Sequence, residues 1–439
     1  MRPFALLLAL TLLPAAAFAA EPAQGKGYAA FAAKAVAALK TSCLDKARTS
    51  VSVVELDTNR TVFARNPDLL LLPASVQKIF TTGAALYHLG PDYHFVTRAL
   101  ADTLPVKGVV AGNLYLKGGG DPKLTPEILW RIAAALKRRG IDRVKGDLVI
   151  DTSFFDQATS APSWAERRSG RSYDAKLSAL AVNFNSVTVE VYPTSPGVPP
   201  VVGLDPASPY LRLDNRALTG RRGQLNVGRS ANGDHMTITV TGSIRPGAVP
   251  IIRYVNVTNP DRFAGESFRA KLAEVGVVVE GGLGFAKTPP GAVTLFAHES
   301  EPLRAILTQL NRYSNNFMAE QVIKTMAAEK TGAPGSHAAG LLLVRQFMAD
   351  IGADLSGTVF ADGSGLAYGN RVTATQITRL ITAIRERFDL GPDFIASLAL
   401  LGAEGSVRKR LAETPVARSA RVKTGTLNFV STLAGVVSA

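Results

Sequence analysis

Three short clusters of hydroxyl, amine and amide groups stand out in this 439-residue chain: Ser75-Val76-Gln77-Lys78, Ser314-Asn315-Asn316 and Lys423-Thr424-Gly425. Together they supply what an acyl-transferring serine needs. A serine hydroxyl is a weak nucleophile until a neighbouring base takes its proton. Lys78 falls three positions after Ser75, on the same helical face. Val76, Ile79 and Phe80 would partly desolvate its amine, lowering its pKa and freeing a lone pair. A serine in the first turn of a helix also has backbone N–H groups nearby for an oxyanion. Ser314 can relay a proton to a leaving amine, and Asn316 can hold both Lys78 and a substrate peptide group. Lys423, Thr424 and Thr426 offer a charge and two hydroxyls to a terminal carboxylate. They lie on a strand-like stretch where Gly425 leaves room for a substrate backbone.

Each motif has a second copy, so context must separate the sets. Ser75 follows the apolar run Leu70–Pro73 and opens a proline-free segment of helical periodicity to Leu86. Ser314 sits where the helical pattern ending at Leu310 pauses before resuming at Phe317, a break suited to capping residues. The alternatives lack such settings. Ser406-Val407-Arg408-Lys409 follows Gly405 and opens the basic run Arg408-Lys409-Arg410, which reads as a solvated loop. Ser230-Ala231-Asn232 reads as a Gly/Asn loop ahead of a strand, and Lys330-Thr331-Gly332 as the end of a helix. All three second copies are therefore expected to be chemically idle.

The frame around the motifs is legible in outline. Helical patterns cover residues 28–39, 76–89, 303–329, 338–351 and 375–387, and strand-like stretches cover 50–57 and 422–438. This predicts an α/β (α+β) layer, one antiparallel sheet flanked by helices. Residues 96–290 differ, with short strands such as 187–191, 236–240 and 251–257 separated by turn formers. At the start, Arg2, the apolar stretch from Ala5 to Leu13 and Ala17-Phe18-Ala19 read as a secretory signal peptide, cleaved after Ala19 or Ala20. The single cysteine, Cys43, excludes an intramolecular disulfide and reads as a small buried apolar residue. The five histidines have no ligand spacing, so no metal site is expected, and nothing calls for a cofactor. The net charge of +14 would suggest nucleic acid in a cytosolic chain. Export argues against nucleic acid and toward anionic cell-wall peptides, with peripheral contact to an anionic membrane surface.

The ordered S-x-x-K, S-x-N and K-T-G set resembles the penicillin-binding protein superfamily. More closely, the chain resembles the D-alanyl-D-alanine carboxypeptidase/endopeptidase family, the class C low-molecular-mass penicillin-binding proteins. Supporting strings are Tyr115-Leu116-Lys117-Gly118-Gly119-Gly120-Asp121-Pro122, Gly146-Asp147-Leu148-Val149-Ile150-Asp151, Asp362-Gly363-Ser364-Gly365-Leu366 and Gly402-Ala403-Glu404-Gly405-Ser406. The long interval between Lys78 and Ser314 exceeds what a simple serine β-lactamase would need. The resemblance implies a serine β-lactamase/penicillin-binding transpeptidase-like domain with a large β-rich, two-domain insertion. The implied boundaries are a signal peptide at 1–20, a discontinuous catalytic domain at 21–95 and 291–439, an inserted domain at 96–182 and 251–290, and a nested β-rich domain at 183–250.

The activity so implied is that of a periplasmic serine D,D-carboxypeptidase or D,D-endopeptidase acting on peptidoglycan stem peptides. Ser75 would attack, Lys78 accept its proton, and the N–H groups of Ser75 and Thr426 hold the oxyanion. Ser314 and Lys423 would protonate the leaving amine, Asn316 would support Lys78, and Thr424, Gly425 and Thr426 would bind the substrate. β-Lactams would acylate Ser75 and stall. For the stem-peptide side chain, the resemblance places an acidic residue near Asp151, although this carboxylate also reads as a simple turn cap at Thr152-Ser153. Asn428 would line the same pocket. Some relatives carry an arginine two positions past the leucine of the Asp-Gly-Ser-Gly-Leu string; here that position is Tyr368, leaving side-chain selectivity open. A competing reading is a catalytically silent peptidoglycan-binding protein. It draws on the short stretch after Gly425, which would leave residues 436–439 as an unpaired strand edge. The complete motif set argues against it. Oligomeric state, and the balance of carboxypeptidase and endopeptidase action, are not encoded in any motif.

Overall fold

A computed structural model describes residues 26–40, 44, 46–164 and 169–438. The signal-peptide reading and Cys43 lie outside the described residues. The chain divides into two units at Leu69/Leu70. The first holds helix α1 (Lys26–Leu39) and an antiparallel hairpin of strands Val51–Glu55 and Arg60–Arg65.

The second unit carries all three motifs. Helix α2 (Gln77–Leu89) buries Ile79, Phe80, Ala84, Ala85 and Leu86, the apolar face seen in its sequence period. The chain then enters the inserted region, where strands 96–101, 114–117, 148–151, 283–285 and 293–299 form a five-stranded mixed sheet. Helix α3 (Pro126–Arg138) starts at Thr125, whose side chain caps the Ile128 N–H, and helix α4 (Pro260–Glu274) starts similarly at Asn259. Both present proline in the first turn, where no N–H is needed. Strands 186–192, 201–205 and 251–256 make a second sheet, and strands 211–215, 225–232 and 235–244 most of a third.

Two pairings cross the boundaries suggested by sequence. Strand Ile251–Asn256 pairs with Ser186–Tyr192, and strand Val293–Glu299 pairs with Val96–Ala101. One apolar core runs through the inserted region from Ala99 to Leu295.

The chain returns through α5 (Leu303–Tyr313), α6 (Asn316–Thr331), α7 (His337–Asp350), α8 (Ala374–Arg385) and the short α9 (Gly391–Ser397). It closes with an antiparallel sheet of strands 399–400, 420–427 and 430–437. Helix α6 is buried on every face from Phe317 to Ala328. Phe317, Met318, Val322, Ile323 and Met326 are each enclosed, and burying such a side chain contributes about 1.5–3 kcal/mol. A helix buried all round belongs at the centre of a domain, and here it sets the position of everything near its N-terminus.

Close backbone approach fixes the Ser75 turn. Gly365 has φ +82°, and a Cβ there would lie 1.8 Å from the Ala74 carbonyl oxygen. A Cβ on Gly425 would lie 2.6 Å from the Ser75 nitrogen. Gly365→Ala therefore combines left-handed strain with a backbone clash. It should lower stability by about 3 kcal/mol, read as a lower urea midpoint with an unchanged slope. A midpoint within error of wild type would show that the turn has slack.

Candidate active site

Ser75 lies in a single 3₁₀ turn, Ala74–Val76, that leads directly into α2. Lys78 follows one turn later and is fully buried. Its Nζ is 3.1 Å from Ser75 Oγ, donates to Asn316 Oδ1 at 2.7 Å and donates to the Ser364 carbonyl at 2.6 Å. Burial pulls its pKa down to about 8, against the pull of the Asp362 and Glu320 charges in the other direction. In the neutral amine, the two N–H bonds satisfy Asn316 and Ser364. The lone pair is then directed at the Ser75 hydroxyl.

Ser314 ends α5 in a left-handed conformation, φ +56°, and Asn315 caps α6 by accepting from the Met318 N–H. The break expected from the polar cluster thus turns Ser314 and Asn316 toward the same point. Lys423, on strand Ala420–Leu427, is buried and donates to Ser314 Oγ at 2.8 Å and to the Thr424 carbonyl at 2.7 Å. Burial, with a smaller contribution from the nearby Lys78 charge, drives its pKa down to about 6. Near neutral pH the second amine is therefore largely unprotonated, a state suited to passing a proton through Ser314. The Thr432 hydroxyl donates to the Pro73 carbonyl at 2.8 Å and ties this sheet to the serine turn.

The structure thus brings together Ser75, Lys78, Ser314, Asn316, Lys423 and Gly425, with Thr424 beside them and Thr426 exposed two residues along the strand. Asn428 is exposed in the tight turn between strands 420–427 and 430–437. Asp151 does not join the cluster. Its side chain is completely buried, and its oxygens accept from the Ser153 and Thr288 N–H groups, both at 2.9 Å. Burial alone would raise its pKa, but these hydrogen bonds outweigh burial and hold it below the usual carboxylate range. The carboxylate is a turn cap within the inserted sheet, the second of the two readings its sequence allowed, and in this position it does not face the Ser75 cluster.

Two of the duplicate motifs also differ from expectation. Ser230 lies within strand Leu225–Asn232 and not in a loop, because that stretch pairs along its whole length with strand 235–244. Ser406 is not a remote loop residue: its Oγ is 3.3 Å from Thr424 Oγ1. Lys330 ends α6 as expected, with Gly332 at φ +89° beyond it.

Several supporting groups escaped sequence reasoning. Glu320, fully buried and one turn beyond Asn316 on α6, accepts from the N–H of Gly363 at 3.1 Å and of Ser364 at 2.8 Å. Asp362 accepts from the N–H groups of Gly365 and Ala367, both at 2.7 Å, from the Asn370 amide at 2.9 Å, and from Trp164 Nε1 at 3.0 Å. These bonds shape the loop whose Ser364 carbonyl holds Lys78. The glycine-rich Asp362–Leu366 string was the only signal available. Asn316 Nδ2 donates to the Tyr173 carbonyl at 3.3 Å, so the inserted region reaches the site through its backbone. Among the described residues no group of histidine, cysteine, aspartate and glutamate could hold a metal, and no helix is long and apolar enough to cross a membrane.

The fold that carries this arrangement is of the penicillin-binding, transpeptidase-like type. The profile of the D-Ala-D-Ala carboxypeptidase 3 (S13) family matches residues 32–439, and the chain belongs to that family. It is 34% identical to a D-alanyl-D-alanine carboxypeptidase of Actinomadura sp. (strain R39), over 99% of this chain and 84% of the relative. Identity to the D-alanyl-D-alanine carboxypeptidase DacB of Haemophilus influenzae is 26%, over 87% of this chain and 81% of that one. The crystal structure of penicillin binding protein 4 (dacB) from Haemophilus influenzae superposes with a TM-score of 0.78 over 89% of this chain and 86% of that one, at 24% identity. A second structure of that protein, complexed with a β-lactam, superposes with a TM-score of 0.74 at 25% identity, covering 89% and 87% of the two chains. The chain is accordingly a hydrolase of the D-Ala-D-Ala carboxypeptidase type.

The depressed pKa of Lys423 has a thermodynamic signature. Between about pH 6 and the ordinary lysine range near 10.4, the unfolded chain keeps a proton that the folded chain has shed. Stability must then rise with pH across that window. Lys423→Met removes this contribution, so its melting temperature should climb less steeply than that of wild type from pH 6.5 to 9. Parallel profiles would mean that the amine stays protonated in the fold.

Proposed function

We propose that the chain is an exported, periplasmic serine D,D-peptidase that acts on peptidoglycan stem peptides through an acyl-enzyme on Ser75. The observation that carries this reading is the placement of Lys78, with both N–H bonds of its neutral amine engaged and its remaining valence facing Ser75. Ser75 Oγ attacks the carbonyl between two D-alanines as its proton passes to Lys78 Nζ. The oxygen–carbon bond forms, and the carbonyl oxygen takes the negative charge against the N–H groups of Ser75 and Thr426. The carbon–nitrogen bond then breaks as Ser314, hydrogen-bonded to Lys423, passes a proton to the departing amine and regains one from the Lys78 ammonium, so that the proton taken from Ser75 leaves with the amine and Lys78 is neutral again. Thr424 and Thr426 hold the carboxylate of that leaving residue. With Lys78 neutral again, water gives a proton to its amine while attacking the ester, and the ammonium returns a proton to Ser75 Oγ as the acyl–oxygen bond breaks. The same chemistry extends to D,D-endopeptidase cleavage of cross-links, whose scissile carbonyl also belongs to a D-alanine. β-Lactams present an equivalent carbonyl and would leave a slowly hydrolysed acyl group on Ser75.

Fluorescent penicillin should label the wild-type protein and leave Ser75→Ala unlabelled. Ser314→Ala should slow labelling by roughly 10²–10⁴-fold, the range for a lost proton-transfer group, while Ser230→Ala stays within a few-fold. A labelled Ser75→Ala protein would place the nucleophile elsewhere.

The base can be tested separately. Lys78→Arg keeps charge and much of the bulk but cannot deprotonate, so acylation should vanish. In the wild type, the acylation rate should rise as pH passes through about 8 and level off above it, because only the neutral amine accepts the proton. A rate constant that is flat from pH 6 to 10 would exclude Lys78 as the base.

A further inference from the structure

Ser406 was expected to be idle, yet the fold holds it firmly beside the third motif. Its segment is pinned on three sides. Val407 is buried with Ala399, Leu401, Ala420 and Val422. Gly405, at φ +50°, packs so tightly that a Cβ would lie 2.0 Å from the Arg312 carbonyl oxygen, two residues before Ser314. Glu404 ion-pairs with Arg312 at 3.2 Å and accepts from the Leu400 N–H at 3.0 Å. Held this way, Ser406 is exposed, and its Oγ stands 3.3 Å from Thr424 Oγ1.

A carboxylate at this point needs donors. Lys423 is a poor cation here, since burial leaves its amine mostly neutral near pH 7 and its Nζ already donates to Ser314 and the Thr424 carbonyl. Hydroxyls must then supply much of the binding. Two hydroxyls 3.3 Å apart, each with one proton, are spaced to donate to the two oxygens of one carboxylate. The nearest acid on this segment, Glu404, is engaged with Arg312. The exposed cations Arg408, Lys409 and Arg410 follow directly and make the local field favourable to an anion.

We propose that Ser406 is a substrate-binding residue that shares the C-terminal carboxylate of the D-alanyl-D-alanine end with Thr424. This rests on the D,D-peptidase reading above. The bond would be one to a charged acceptor from a preorganised donor, the stronger class of hydrogen bond.

The test compares Ser406→Ala and Ser406→Thr with wild type on two probes. One is a soluble stem peptide ending in D-Ala-D-Ala. The other is a peptide boronate that bonds Ser75 and carries no terminal carboxylate. Ser406→Ala should lower kcat/KM for the peptide by about tenfold or more, chiefly through KM, and Ser406→Thr should restore most of it. Boronate inhibition should be unchanged in both variants. An unchanged kcat/KM in Ser406→Ala, or an equal loss for peptide and boronate, overturns the proposal; the latter would make Ser406 a support for the fold. A wild-type protein that neither cleaves the peptide nor binds the boronate would overturn the D,D-peptidase reading itself.

Discussion

The site depends on keeping two lysine amines out of water within one small volume. Burying a charged ammonium without a partner is expensive, and the cheaper course is to lower the pKa and shed the proton. Lys78, brought down to about 8, goes part of the way, and Lys423, brought down to about 6, is mostly neutral near pH 7, its shift enlarged by the nearby Lys78 charge. The polar groups around them satisfy the remaining hydrogens: Asn316 and the Ser364 carbonyl for Lys78, and Ser314 and the Thr424 carbonyl for Lys423. Each of these acceptors comes from a different segment of chain from the amine it serves, except Thr424. The two amines therefore bring α2, the α5–α6 junction, the 362–366 loop and the 420–427 strand to one place.

A layer of acids does the supporting work at one remove. Glu320 and Asp362 contact neither Ser75 nor Lys78 by hydrogen bond, yet they fix the loop that offers Ser364 to the amine. Their charges also moderate how far the Lys78 pKa falls. A base pulled too low would be a poor proton acceptor, and one left at the ordinary lysine value would be protonated at neutral pH.

Much of this was legible in the sequence because the decisive features are local. The helix after Ser75, the break at Ser314 and the strand through Lys423 follow from apolar periodicity and capping chemistry over short windows. What failed was long-range. Asp151 ends a strand just as its pattern suggests, but only the fold reveals that Thr288, far along the chain, occupies its second oxygen. Ser406 looked like the start of a solvated loop. No local signal told that the buried Val407 and the clamped Gly405 would set it against Thr424. Boundaries suffered for the same reason: strands 251–256 and 293–299 were assigned by position in sequence, but their partners are chosen by sheet register.

The burial of α6 bears on how this architecture could be trimmed. Beyond Asn316 the same helix carries Gln321, whose amide donates to the Ser178 carbonyl at 2.9 Å, and Lys324, whose Nζ reaches Asp156 Oδ1 at 2.7 Å and the Ala158 carbonyl at 2.8 Å. Those partners all belong to the inserted region. Excising it to obtain a minimal enzyme would strand an amide and an amine on the central helix, each enclosed on its remaining sides and each costly to leave unmatched. The insertion is therefore not an accessory that can be grafted on or removed at will. A working miniature would need the 316–331 segment rewritten along with the cut, at the residues that stand one and two turns from the Asn316 amide.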